Sequence, residues 1–73
     1  MTTPVETYHE NGEWRNRHQG SDYILSAHDV KASAETYGRR VALRDGVEHI
    51  VRRADGVIER RHDYGKTTNA AGK

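Results

Sequence analysis

The side chains of this 73-residue chain that could do chemistry are five histidines, eleven carboxylates and twelve lysines and arginines. His9, His18, His28, His49 and His62 stand singly. No two share the i, i+4 spacing of a helical zinc site, and no cysteine is present to complete one. His49 and His62 can approach each other across a hairpin, as a pair able to hold a metal weakly. Histidines that are solvated or half-buried on strands explain the same pattern, and this reading is favoured. The carboxylates are equally sparse in catalytic pattern. Glu10 and Glu13 flank a turn, and Asp55 suits a turn whose backbone its own side chain bonds. No nucleophile is paired with a base and no glycine-rich phosphate loop occurs. The residues therefore assign no catalytic site, metal site or cofactor.

The arginines are the more informative group. Arg15 and Arg17 fall in one extended segment, and Arg52, Arg53, Arg60 and Arg61 fall in two others joined by a turn. Strand alternation sends about half of them to one sheet face. With Tyr8 or Tyr64 nearby, they could contact phosphates and stack on bases. Charge balance argues against this. From Val47 to Lys66 there are five Lys and Arg against four Asp and Glu, and the whole chain carries +1. Glu48, Glu59 and Asp63 are placed to pair with the arginines across strands. A solvated, ion-paired face is favoured over a nucleic-acid surface.

Two turns organise the elements that position these residues. Asn11-Gly12 suits a two-residue type I′ hairpin, which needs φ > 0 at both positions. That register sets His9 opposite Trp14 and Thr7 opposite Asn16. Val5, Thr7, His9 and Trp14 then share one face, with Tyr8 and Arg15 on the other. Ala54-Asp55-Gly56 allows two geometries. A two-residue turn pairs Ala54 with Val57 and separates Ile50 and Ile58 onto opposite faces. A three-residue loop closed by Gly56 pairs Arg53 with Val57 and unites the two isoleucines, which burial prefers.

Between the hairpins, Val30, Ala34, Tyr37 and Val41 recur as one helical stripe, broadened by Ala27, Gly38 and Ala42. Ser26 and Asp29 are the candidate N-caps, Gly46 the αL C-cap, and Arg44 lies in the last turn. The expected helix is Ala27–Arg44. Gln19–Ser26 reads as a loop anchored by Tyr23, Ile24 and Leu25. Trp14 is expected to be the largest core residue, facing Tyr37 and Val41, and Tyr64-Gly65 to end the last strand. The fold class is α+β in the order β-β-α-β-β: a small antiparallel sheet with one helix on one face. Residues 1–64 form a single domain, and 65–73, all small or polar, form a disordered tail.

Composition bounds the rest. The chain is 33% hydrophobic and 32% charged, with one Trp and no Phe. A domain this short buries only ~60% of its unfolded surface, so a homodimer is a live option. Without cysteine there are no disulfides and no thiol chemistry. No apolar run approaches a membrane span and none follows Met1 as a signal peptide would, so the cytoplasm is the expected location.

These residues resemble a family of small bacterial and phage proteins, domain of unknown function 2188. The resemblance runs through Gly12-Glu13-Trp14, His28-Asp29-Val30-Lys31-Ala32-Ser33-Ala34 and Gly38-Arg39-Arg40-Val41-Ala42. It continues through Val47-Glu48-His49-Ile50-Val51 and Asp55-Gly56-Val57-Ile58, and closes on Tyr64-Gly65. The most specific part is Asp-Gly-x-Ile followed at fixed distance by Tyr-Gly. Ser33-Ala34 stands where members more often have Glu-Ala, and Asp63 where they have Ser or Asn. The resemblance implies the architecture and brings no activity. The expectation is a non-enzymatic binding or accessory protein, acting on a protein partner or on a second copy of itself. The alternative is nucleic-acid binding. Under either reading Arg15, Arg17, Arg52, Arg53, Arg60, Arg61 and Tyr64 are the candidate contact residues.

Overall fold

The computed structural model describes residues 3–65. Strands β1 (Val5–Glu10) and β2 (Glu13–His18) form the first hairpin. Asn11 and Gly12 take φ of 53° and 78°, the two left-handed positions of the expected turn. Thr7 pairs with Asn16 and His9 with Trp14, as the turn type requires. A short strand β3 (Ser26–His28) follows, then helix α1 (Lys31–Asp45), strand β4 (Glu48–Arg52) and strand β5 (Ile58–Asp63). The fold is α+β, with one five-stranded sheet in the order β3-β2-β1-β4-β5.

Two features go beyond the expected β-β-α-β-β order. The first is β3, whose Ala27 and His28 fall within the span expected for the helix. Its Ser26 hydroxyl accepts from Asn16 Nδ2 at 3.0 Å, so it serves the sheet and is not a helix cap. The helix instead starts after Val30, whose side chain makes no cap bond; neither Ser26 nor Asp29 occupies the N-cap. The second is the central pair. β4 returns from the helix beside β1 and runs parallel to it, Val5 opposite His49 and Thr7 opposite Val51. A helical crossover permits this direction, whereas a tight turn does not.

The helix ends as expected, with Gly46 at φ 67° and Arg44 in its last turn. Its buried face is Ala34, Gly38, Val41 and Ala42. Val30 is 57% exposed and Tyr37 is also exposed, so the stripe is rotated toward the small residues. Small side chains let the helix axis approach the sheet closely. The apolar core is compact: Val5, Val41, Ala42 and Val47, with Leu25 and Tyr64 against them. Val51 is buried on the helix side, and Ile50, opposite Glu6, is buried on the other face of the sheet. Trp14 is only half-buried, packed against His9 at 4.8 Å and overhung by the Lys31 ammonium at 5.3 Å. It closes the far end of the sheet and does not fill the centre. Of the three expected loop anchors, Leu25 packs on the core while Tyr23 and Ile24 are exposed. The tail expected over 65–73 lies, from residue 66 on, outside the described residues.

Candidate functional site

The middle of the helix-facing layer is polar. The Thr7 hydroxyl donates to Asn16 Oδ1 at 2.6 Å. Its oxygen can then accept from His49 Nε2–H, at 2.8 Å, which fixes the tautomer of the ring. Asn16 Nδ2 donates to the Ala34 carbonyl at 2.9 Å and to Ser26. Asn16 and Thr7 are fully buried and His49 nearly so. Among the described residues no buried side-chain polar atom lacks a partner. Gly38 rests directly on this triad: a Cβ there would meet Thr7 Oγ1 and His49 Nε2 at 2.7 Å, and Asn16 Oδ1 as well. Burial, then the positive charge of Arg60, pushes the His49 ring down to about 4, against a smaller opposing pull from Glu35. His49 is therefore neutral at pH 7.

The remaining histidines do not converge. His9 packs against Trp14, His28 against Tyr37 and His62 against Tyr64, each pair with its rings tilted. His18 Nε2 lies 3.9 Å from Asp45. His49 does pair across the strands with His62. Among the described residues, no three His, Asp or Glu side chains gather in a metal-like group.

The open face, away from the helix, carries Arg15, Arg17, Arg52 and Arg61. Each is matched by a carboxylate. Glu6, only 2% exposed, bridges Arg17 Nε at 2.7 Å and Arg52 Nε at 2.9 Å, and so ties β2 to β4 across β1. The Arg17 guanidinium also lies 4.1 Å above the Tyr8 ring. Arg15 pairs with Glu13 at 2.9 Å and Glu10 at 3.4 Å. Arg61 holds both oxygens of Glu48, at 2.9 and 3.0 Å. This face is neutralised by its own side chains.

The second hairpin has the three-residue loop. Arg53 N–H donates to the Val57 carbonyl at 2.8 Å, and Gly56 has φ 92°. Asp55 accepts from the Val57 N–H and from Arg53, so it serves its turn. Arg53 belongs to that turn and not to a face. A further irregularity between Val51 and Arg52 shifts the pairing, so that Val51 faces Arg60 and Ile50 faces Arg61. Without it the two arginines would exchange faces. Arg60 consequently points to the helix side, where it meets Glu35 at 2.6 Å, and Arg61 joins the open face. Tyr64 packs at the edge of the core cluster.

Helix α1 packs over β1, β2, β3 and β4. Its first turns reach β5 through ion pairs, Lys31 with Glu59 and Glu35 with Arg60. Beyond them a cleft of about 300 Å³ opens between helix and strand. Arg39 forms one wall, and Arg60, Arg61, His62 and Tyr64 the other, over a floor of His49 and Val51. None of these residues is a carboxylate, and among the described residues Arg39 makes no hydrogen bond or ion pair. Arg39 is not among the seven candidate contact residues, because its role depends on where the helix ends up relative to β5. The one available signal was the Gly38-Arg39 pair, which sets a cation beside the closest helix–sheet contact.

No curated protein and no solved structure matches this chain. A family does: its description, an uncharacterized protein conserved in bacteria, matches residues 5–64, from the first residue of β1 to the tyrosine after β5. The chain belongs to that family, domain of unknown function 2188.

Proposed function

We propose that this domain is a binding module with no reaction of its own, and that it takes an extended segment of a partner protein along the outer edge of β5. The observation that carries this reading is the state of that strand. β5 is outermost in the sheet and all six of its residues are exposed. An edge that no described strand covers is a template for strand addition, in which main-chain bonds supply affinity and alternate side chains supply selectivity. Val57 and Ile58, both exposed, place an apolar contact at its start.

A second copy of the chain is a poorer occupant. The two two-fold antiparallel pairings of greatest overlap set Arg60 or Arg61 opposite its own copy at the axis, and opposed like charges are destabilising. Nucleic acid is disfavoured because every arginine of the open face already holds a carboxylate. Neutralising phosphates there would first require breaking those pairs.

The test is selection of binders from a random 12-residue peptide library, followed by amide mapping of the winners. Light scattering and a salt series with mixed DNA and RNA would run on the same sample. Shifts confined to β5 and the facing helix, from a monomer, are expected. Peptides that map elsewhere, or nucleic-acid binding that falls steeply with salt, would overturn the reading.

A further inference from the structure

A strand added to β5 projects alternate side chains toward the helix side, level with Arg60 and His62. That is where the cleft opens. Its lining carries Arg39, Arg60 and Arg61 and no acidic group. The carboxylates around it are already held, Glu35 by Arg60, Glu59 by Lys31 and Glu48 by Arg61. Glu59 is kept below the usual carboxylate range first by its bond from Lys31. Arg39 has no such partner among the described residues. Its charge disfavours a proton on the His49 ring. A cation left unmatched beside another arginine is an unfilled half of an ion pair. The floor contributes no negative charge, since His49 is neutral at pH 7 and Val51 is apolar.

We propose that the cleft between α1 and β5 reads acidic side chains of the bound segment, Asp or Glu at two alternating positions, through Arg39 and Arg60. This rests on strand addition at β5 and names the chemistry of the segment that would be added. In an antiparallel addition, acidic residues opposite Arg60 and His62 point into the cleft. Apolar residues opposite Val57 and Ile58 cover the exposed start of the strand. The recognised pattern is therefore acid-x-acid followed by a short apolar stretch. Arg39 acts from the helix as the second cation, and Glu35 must yield part of its hold on Arg60 when the segment binds.

The probe is a synthetic eight-residue peptide with Glu-Thr-Glu before Val-Val, compared with the same peptide carrying Gln for each Glu. Titrations would be followed by amide shifts of the full chain. The Glu peptide is expected to bind about tenfold more tightly than the Gln peptide. That advantage should vanish near ~1 M salt, where the Debye length is about 3 Å. It should also vanish in Arg39→Glu, at an exposed helix position, with the variant's amide spectrum away from the cleft matching the parent's. Equal binding of both peptides with shifts along β5 would overturn acid recognition and leave strand addition standing. Shifts absent from β5 for both peptides would overturn both. A Glu preference that survives Arg39→Glu would place the recognition elsewhere and overturn the assignment to this cleft.

Discussion

Gly38 and His49 set the character of this domain at the level of single side chains, because they meet where the apolar core gives way to hydrogen bonds. Two effects of Gly38→Ala oppose each other. Alanine favours a helix interior over glycine by about 1 kcal/mol. The new methyl would lie 2.7 Å from both Thr7 Oγ1 and His49 Nε2, atoms bound to each other and unable to withdraw separately. Overpacking costs ~1–3 kcal/mol, and breaking a buried polar bond adds a similar amount. The clash wins, so Gly38→Ala should lose about 2 kcal/mol in urea unfolding; a variant as stable as the parent would refute the close packing. The second prediction is pH dependence. His49 titrates at about 4 when folded against an ordinary 6.5, so the unfolded chain takes up the proton first. Stability is then complete above about pH 6.5 and declines as pH falls toward 4. At ~1.4 kcal/mol per pH unit the loss over that window is about 3 kcal/mol. Asp55 and Glu59 are themselves held low by Arg53 and Lys31, so their contribution is lost only at lower pH. Urea unfolding at several pH values should show this decline in the parent. His49→Gln, which keeps a donor for Thr7, should flatten it, and an unchanged slope would place the titration on another group.

At the level of elements, the helix start is a weak point that can be improved. Val30 holds the N-cap with extended φ of −117° and ψ of 134°, yet makes no cap bond, and it is 57% exposed. Val30→Ser supplies an acceptor for an otherwise unpaired helix N–H and removes an exposed apolar group. It should raise stability by about 1 kcal/mol, read as a higher melting temperature by circular dichroism. A lower one would mean that Val30 packs in a way its exposure does not show. This uncapped start also explains what could be read from the chain and what could not. Ala54-Asp55-Gly56 placed the second hairpin and left burial to choose between two loops, whereas Asn11-Gly12 fixed the first, because turn residues act through their own backbone and need no tertiary context. Gly46 ended the helix for the same reason. β3 was hidden because Ser-Ala-His has no strand pattern of its own; it is recruited by Asn16 and Trp14, which lie ten or more residues earlier. The shift between Val51 and Arg52 was equally silent, and it decides which face Arg60 and Arg61 take. The seven candidate contacts thus divide four to the open face, Arg60 to the helix side, Arg53 to a turn and Tyr64 to the core's edge, with Arg60, Arg61 and Tyr64 also lining the cleft. The cleft itself, made by an offset between a helix and an edge strand, has no local sequence signal.

At the scale of the whole molecule, stability is concentrated in the middle of the sheet and thins toward its edges. β1 and β4 are buried on both faces over Val5–Tyr8 and His49–Val51, while β5 is exposed throughout. Even the open face is sealed at the centre, where Ile50 is covered and Glu6 clamps Arg17 and Arg52 across three strands. Amides in β1 and β4 should therefore exchange only through global unfolding, and their protection measures the full stability of the domain. Among the described residues no strand lies beyond β5, and its outward amides from Ile58 to His62 should exchange on the order of 10²-fold faster. This gradient separates the occupants of the edge. A lone chain shows fast β5 exchange at every concentration, and an added peptide slows it without altering β1. Were β5 as protected as β1 in the free protein, and more so as concentration rises, the edge would be filled by a second copy despite the opposed arginines. The peptide-binding reading would then give way to self-association. Fast β5 exchange that no peptide slows would remove the edge from consideration, because a strand that binds through its backbone must protect that backbone.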